Sequence, residues 1–304
     1  MRFPELTETF RLQRLEPPKG KVRLVIDTDT FNEIDDQFAV AYALKSPDRL
    51  QVEAIYAAPF HNALSEGPAD GMEKSYREIL TILQRLRIDP AHYAFRGSTG
   101  YLKDAETPQE SEAARDLVRR AMASPDDDPL YVVAIGAITN VASAILMEPR
   151  IIGKIVLVWL GGHAHDWPDT REFNLIQDVP ASRLVFDCGV PLVQVPCMGV
   201  ASHLLTTLAE LREYVKGQGE LGDYLYETFE RCHDDHFAYS RVIWDISVMA
   251  YLVNPQWVPT QLVHSPVLTD HGTWSRDLSR HFIRCAYAVQ RDPIFKDLFL
   301  KLRR

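Results

Sequence analysis

The sequence predicts an α/β fold: a mostly parallel central sheet with helices on both faces and a helical cap region. Three observations carry this. Short β-branched apolar runs alternate with helix-length stretches through about residue 195. Several of those runs are uninterrupted in their apolar character, as strands buried on both faces are. Polar and glycine-rich residues gather just after the runs, where an open α/β sheet binds its ligands.

The elements follow in order. Residues 1–20 form an arm with Pro17-Pro18 near its end. The run at 22–27 is the first strand, and 35–46 a helix opened by two acids, which favour the positive end of the helix dipole. A second strand covers 50–57, a loop with His61 and Asn62 covers 59–71, and helical spacing resumes at 72–86. Glycine and proline make 91–108 a loop, followed by a helix at 109–122. The third strand is 130–135, turning through 136–140 into a helix that reaches about 147. A strand at 154–160, an irregular loop at 161–174, a helix at 180–187 and a strand at 190–195 follow. Residues 205–240 read as the polar helical cap, and 245–252 as a helix stopped by Asn254-Pro255. Two β-like runs, 261–268 and 280–289, precede a last helix at 293–302. No repeat or linker divides the chain, so residues 1–304 are expected to form one domain.

The formal net charge of −9 argues against a nucleic-acid partner, which would need a basic face. Four cysteines without CxxC spacing read as buried thiols of a reducing compartment. There is no secretory signal pattern and no apolar run of membrane-spanning length, so a cytoplasmic protein is expected.

The most informative stretch is DTDTFNEIDD, which places Asp27, Asp29, Asp35 and Asp36 at a strand-to-helix junction. Unpaired, these acids would repel one another, so a hard cation is expected among them. An EF-hand is excluded, because its turn glycine and distal glutamate are out of register. The plainer alternative is that Asp35 or Asp36 only caps the helix. Asp27-Thr28-Asp29 also resembles the nucleophile loop of haloacid-dehalogenase-type, magnesium-dependent phosphatases, but Phe31 departs from that pattern and no later Lys and acid pair stands out.

The whole stretch resembles the signature of the inosine–uridine-preferring nucleoside hydrolase family, DxDPGxDDAxA. Further blocks come in the family's order. Residues 134–140, AIGAITN, resemble its GPLTN turn, and Leu160-Gly161-Gly162 with Glu172-Phe173-Asn174 resemble its MGG…EFN block. Residues 178–196 continue that block, and Trp244-Asp245 resembles its C-terminal metal aspartate. The likeness spans about residues 21–255 and implies a Rossmann-like fold and a calcium-dependent nucleosidase.

The resemblance implies one Ca2+ held by Asp29, Asp36, Asp245 and the backbone carbonyl of Ile135. It implies that Asp29 takes a proton from a water acidified by the metal, which then attacks the ribose C1′. Asp35 and Asn174 would hold the ribose hydroxyls, Glu172 the 5′-hydroxyl side, and Asn62 the ribose. Asp27 would support the loop. The implied partner is a small-molecule nucleoside, and the implied assembly a homo-dimer or homo-tetramer. A relative that binds nucleosides without turnover is the non-enzyme alternative.

This chain departs from the pattern at three places. Two extra residues separate Asp29 from Asp35, and the Pro-Gly is missing. In the shortened loop before Arg171, Asp166 is the nearest equivalent of the family's asparagine. Trp244 stands where inosine–uridine-preferring members have the histidine that protonates the base; it reads either as a purine-stacking indole or as a core aromatic. His163 and His165, or His233 and His236, are then candidates for the missing acid, against the plainer reading of both groups as surface.

Overall fold

The computed structural model describes residues 3–303; residues 1, 2 and 304, at the two chain ends, lie outside the description. The elements are α1 (Glu8–Arg14), β1 (Val22–Thr28), α2 (Asp35–Leu44), β2 (Leu50–Ala57), α3 (Pro68–Arg85), β3 (Ala94–Arg96), α4 (Glu112–Ala123) and β4 (Leu130–Ala134). Next come α5 (Thr139–Met147), β5 (Ile155–Leu160), α6 (Phe173–Gln177), α7 (Val179–Asp187) and β6 (Leu192–Val195). The chain continues through β7 (Leu205–Thr206), α8 (Leu208–Tyr214), α9 (Gly219–Arg231), β8 (Arg241–Val242) and α10 (Ile246–Val253). It finishes with β9 (Thr260–His264), β10 (Val267–Leu268), β11 (Trp274–Ser275), β12 (Phe282–Ala286) and α11 (Arg291–Leu302).

Eight strands form one sheet in the order β3-β2-β1-β4-β5-β6-β12-β9. All neighbours are parallel except β9, which returns antiparallel along β12. The side chains of β5 show why its run is apolar throughout. Val156, Val158 and Leu160 enter one core with α2, α10 and α11, while Ile155, Leu157 and Trp159 enter a second core with α4, α5 and α7.

The strand order reverses at β1, with β2 on one side and β4 on the other. That is the switch point at which connections leave in opposite directions and open a crevice. The acids after β1 and the turn after β4 both stand at its mouth.

The structure adds elements to those expected. A short helix, α1, lies inside the N-terminal arm, capped by the Thr7 side chain. β3 lies within the expected loop 91–108, and α6 begins inside the expected loop 161–174. Each is five to seven residues or shorter, too short for periodicity to register. Helices form in 205–240 as expected, but α9 packs beside α2 and α3, and no residue of that segment lines the acid cavity described next.

Candidate active site

α10 is buried along its whole length and α2 from Asp35 to Ala43, and the two pack against each other. Their first turns carry Asp35 and Asp36 on one helix, and Asp245 precedes the other. This brings residues more than two hundred positions apart to one point, with helix N-termini oriented to favour negative charge. Carboxylate oxygens of Asp35, Asp36 and Asp245 lie within 4.8 Å of one another.

Asp29 follows β1 and is fully buried, and neither of its carboxylate oxygens has a hydrogen-bond partner. Thr28 donates to Asp36, and the Trp244 backbone N–H donates to Asp35 Oδ2 at 3.0 Å. Burial pushes Asp29, Asp36 and Asp245 well above the usual carboxylate range, and mutual repulsion pushes them further. Asp35 is pushed up to about 7, first by burial and then by Glu33. Among the described residues none of these four buried acids is in an ion pair with a lysine or arginine, and such a group fits a hard divalent cation, which carboxylates hold through oxygen. The tightest trio contains Asp35 rather than Asp29, because Asp35 hydrogen-bonds Asp245.

A cavity of about 250 Å³ opens over this cluster. Asp29, Asp35, Asp36, Ile135, Glu172, Asn174, Trp244 and Asp245 line it, so eight expected residues from five segments of the chain meet there. Asn62 does not reach it. It donates through Nδ2 to Asn32 Oδ1 at 2.7 Å, and Asn32 is the lining residue. Asp166 is exposed and outside the lining.

The connecting turns show why these residues sit where they do. Asn140 Nδ2 donates to Asp27 Oδ1 at 2.8 Å and to the Ala57 carbonyl at 3.1 Å. Its Oδ1 accepts from the Ser98 N–H and hydroxyl. One side chain thus joins the exits of β1 and β2 to α5. Asp27, pushed up to about 7 by burial against the opposing Asn140 bond, is a support and not a cavity group. The phosphatase reading therefore lacks its nucleophile. At Gly136 a Cβ would come within 3.1 Å of Asp29 Cγ, so the absent side chain is what lets the β4 exit lie against Asp29.

Glu172 caps α6. Its oxygens accept from the backbone N–H groups of Gly162, Asn174 and Leu175, and the Cys197 thiol is also bonded to it. Burial raises its pKa and those bonds oppose the rise. Asn174 Nδ2 donates to the Leu160 carbonyl at 3.1 Å. Gly162 has φ +73° and no room for a Cβ, which would meet Thr170 Oγ1 at 2.6 Å.

Asn32, Glu33, His163, Arg171, Phe173, Cys197 and Met198 also line the cavity. Of these the sequence singled out His163, and Phe173 as part of the Glu172-Phe173-Asn174 block; Asn32, Glu33, Arg171, Cys197 and Met198 sit outside helices and strands, where no periodicity marks an inward residue. Glu33 pairs with Arg241 at 2.7 Å, tying the lengthened loop after Asp29 to the segment before Trp244. His165 faces Gln194 at 2.8 Å, so the H-x-H pair splits between cavity and scaffold. His233 stacks on Tyr239, and His236 on Phe229, both away from the cavity.

The model of the inosine-uridine preferring nucleoside hydrolases matches residues 24–292. The chain belongs to that family. It is a hydrolase of N-glycosyl bonds of nucleosides. Among similar nucleoside hydrolases is the pyrimidine-specific ribonucleoside hydrolase RihB of Escherichia coli (strain K12 / DH10B), 25% identical over 279 residues, covering 83% of this chain and 85% of the relative. In fold the chain is similar to a purine-preferring ribonucleoside hydrolase from Gardnerella vaginalis, with TM-score 0.75 at 19% identity, covering 92% of this chain and 98% of that one. It is also similar to the plant nucleoside hydrolase PpNRh1, with TM-score 0.72 at 19% identity, covering 94% and 99%. Among the described residues no helix is long and apolar enough to cross a membrane.

Proposed function

We propose that this nucleoside hydrolase cleaves a ribonucleoside in a calcium-dependent reaction, releasing base and ribose. The observation that carries the reading is Asp29: a buried carboxylate with both oxygens unpartnered, beside three more buried acids. In this reading Asp29, Asp36, Asp245 and the Ile135 carbonyl hold Ca2+. The ion would supply the charge that keeps those carboxylates ionised together, and would make a water more acidic.

Asp29 takes the proton of the attacking water, whose oxygen bonds to C1′. The electron pair of the C1′–N bond leaves with the base. Positive charge grows on the ribose ring as that bond lengthens, and carboxylates already fixed around it stabilise it without reorganising. Asp35 orients the ribose hydroxyls; its Oδ2 is held by the Trp244 N–H, which fixes its rotamer. Asn174 assists, with its amide nitrogen anchored on Leu160. Glu172 borders the 5′-hydroxyl side, where its main task in this fold is to cap α6. Asn62 contributes through Asn32.

Trp244 lines the cavity and also packs against the core. We extend the proposal to purine preference through stacking on its indole. A higher kcat/KM for uridine than for inosine would reject that extension. Four unpaired thiols fit a reducing, cytoplasmic setting. A homo-dimer or homo-tetramer is proposed on the family resemblance alone.

The test is a panel of ribonucleosides assayed with wild type and Asp29→Asn. Loss of the base should cost at least ~1000-fold in kcat, about 4 kcal/mol of transition-state stabilisation. Full activity in Asp29→Asn would exclude the mechanism. Tight ligand binding by wild type with no product would favour the binding-only alternative.

A further inference from the structure

Departure of the base puts negative charge on a heteroaromatic leaving group, and a hydrogen-bond donor aimed at that charge lowers the barrier. The acids occupy the sugar end of the cavity. The remaining wall is Leu160, Phe173, Met198 and Trp244, an apolar surface suited to a base, together with Asn32, His163, Arg171 and Cys197; of these, Asn32 accepts from Asn62 and Arg171 donates to the His271 carbonyl.

The His163 ring is held in one orientation. The loops leaving β5 and β6 are stitched together by backbone bonds from Cys197 N to the Gly162 carbonyl at 2.8 Å and from Ala164 N to the Met198 carbonyl at 3.1 Å. Between them the Met198 N–H donates to His163 Nδ1 at 3.3 Å. A ring nitrogen that accepts an N–H carries no proton itself. The proton of the neutral imidazole is therefore on Nε2, for which the described residues offer no partner. Protonating Nδ1 would set two N–H groups against each other. Burial acts the same way, lowering the pKa against the opposing charge of Asp169. The backbone of His163 is fixed independently: its N–H donates to Thr170 Oγ1 at 3.0 Å, and its carbonyl accepts from Trp274 Nε1 at 3.0 Å.

We propose that His163, as a neutral imidazole, donates its Nε2–H in a hydrogen bond to the departing base. The inference rests on the functional reading above. No proton is transferred from His163. The C1′–N electron pair moves onto the base, the Nε2–H bond shortens toward the ring nitrogen or carbonyl oxygen that gains the charge, and the released base takes its proton from solvent. The water proton stays on Asp29 until it too is lost to solvent, so the sum is nucleoside plus water giving ribose plus base. This makes His163 a catalytic residue for substrates whose base needs help to leave, and favours bases presenting an acceptor on that edge.

The experiment compares inosine and uridine with p-nitrophenyl β-D-ribofuranoside, whose phenolate leaves unaided, using the calcium-loaded enzyme. In His163→Leu the ratio of kcat on inosine to kcat on the aryl riboside should fall about a hundredfold, the usual loss of one such donor. His163→Gln, which restores an N–H near the Nε2 position, should recover part of that ratio. Nitrogen-15 NMR of wild type should show His163 neutral with its proton on Nε2. An unchanged ratio in His163→Leu, or a His163 imidazolium at neutral pH, would overturn the inference and leave the functional reading standing. A wild type that cleaves none of the three substrates would overturn the functional reading, and this inference with it.

Discussion

At the residue scale the site depends on groups that never touch a substrate. Asn140 satisfies all four of its hydrogen-bond positions at the exits of β1, β2 and the loop after β3. Asn140→Ala would leave Asp27 fully buried with neither oxygen partnered, since its Oδ2 already lacks a partner. The expected loss is about 2–4 kcal/mol of stability, measured by urea denaturation, because a buried unsatisfied polar group costs its desolvation as well as its bond. Gly136→Ala works differently. Its new Cβ presses at 3.1 Å on Asp29 Cγ, on the Asp29 backbone N and on the Ala58 Cβ, and should weaken calcium binding by a few-fold, by calorimetry, and lower Tm by a few degrees, since overpacking costs about 1–3 kcal/mol. The roles of Asp29, Asp36 and Asp245 were suggested by carboxylate spacing and family blocks. Those of Asn32 and Glu33 were hidden, and His163 was one of four candidate histidines that the sequence could not separate, because a loop residue's direction is set by contacts that spacing does not encode. The DxD motif misleads by itself: its first acid is a buried support and its second lines the cavity.

At the element scale the strongly patterned strands and helices were legible. Runs such as residues 130–135 and 154–160 are apolar because both sheet faces are covered. β3 was not, because three residues become a strand only by pairing with β2. α1 was missed for a related reason: its Arg11 and Arg14 are buried against the carbonyls of Gly189 and Asp126, so its sequence looks like a solvated arm. The packing of α1 against β12 has a pH consequence. His281 precedes β12 with its Nε2 buried and unpartnered, and burial, Arg11 and Arg280 together lower its pKa to about 4. An unfolded histidine titrates near 6.5, so between about 6.5 and 4 the unfolded chain binds more protons than the folded one. The stability from a neutral His281 is present above 6.5 and is lost as pH falls through that window. His281→Phe should therefore lose less Tm than wild type between pH 7 and pH 5, by about 2–4 °C in thermal scans. An equal loss in both would show that His281 charges without penalty.

At the scale of the whole molecule, the topology concentrates negative charge that the chain itself does not neutralise. β1 and β4 flank the switch point, α2 and α10 deliver three acids beside it, and Arg241, whose charge acts on Asp35, is engaged by Glu33. Without a cation these acids have folded-state pKa values raised by burial and by each other. Their raised values mean that the cation-free protein keeps their contribution below the ordinary carboxylate pKa and loses it as pH rises. Calcium should reverse that loss, so its effect on Tm should be larger at pH 8 than at pH 5.5, on the order of 5 °C at saturating ion. The most direct measurement follows inosine and uridine by proton NMR with EDTA-stripped enzyme before and after calcium is added. The account predicts no product before addition, then free base and ribose from at least one nucleoside afterwards. Release at the same rate with EDTA in excess would contradict it.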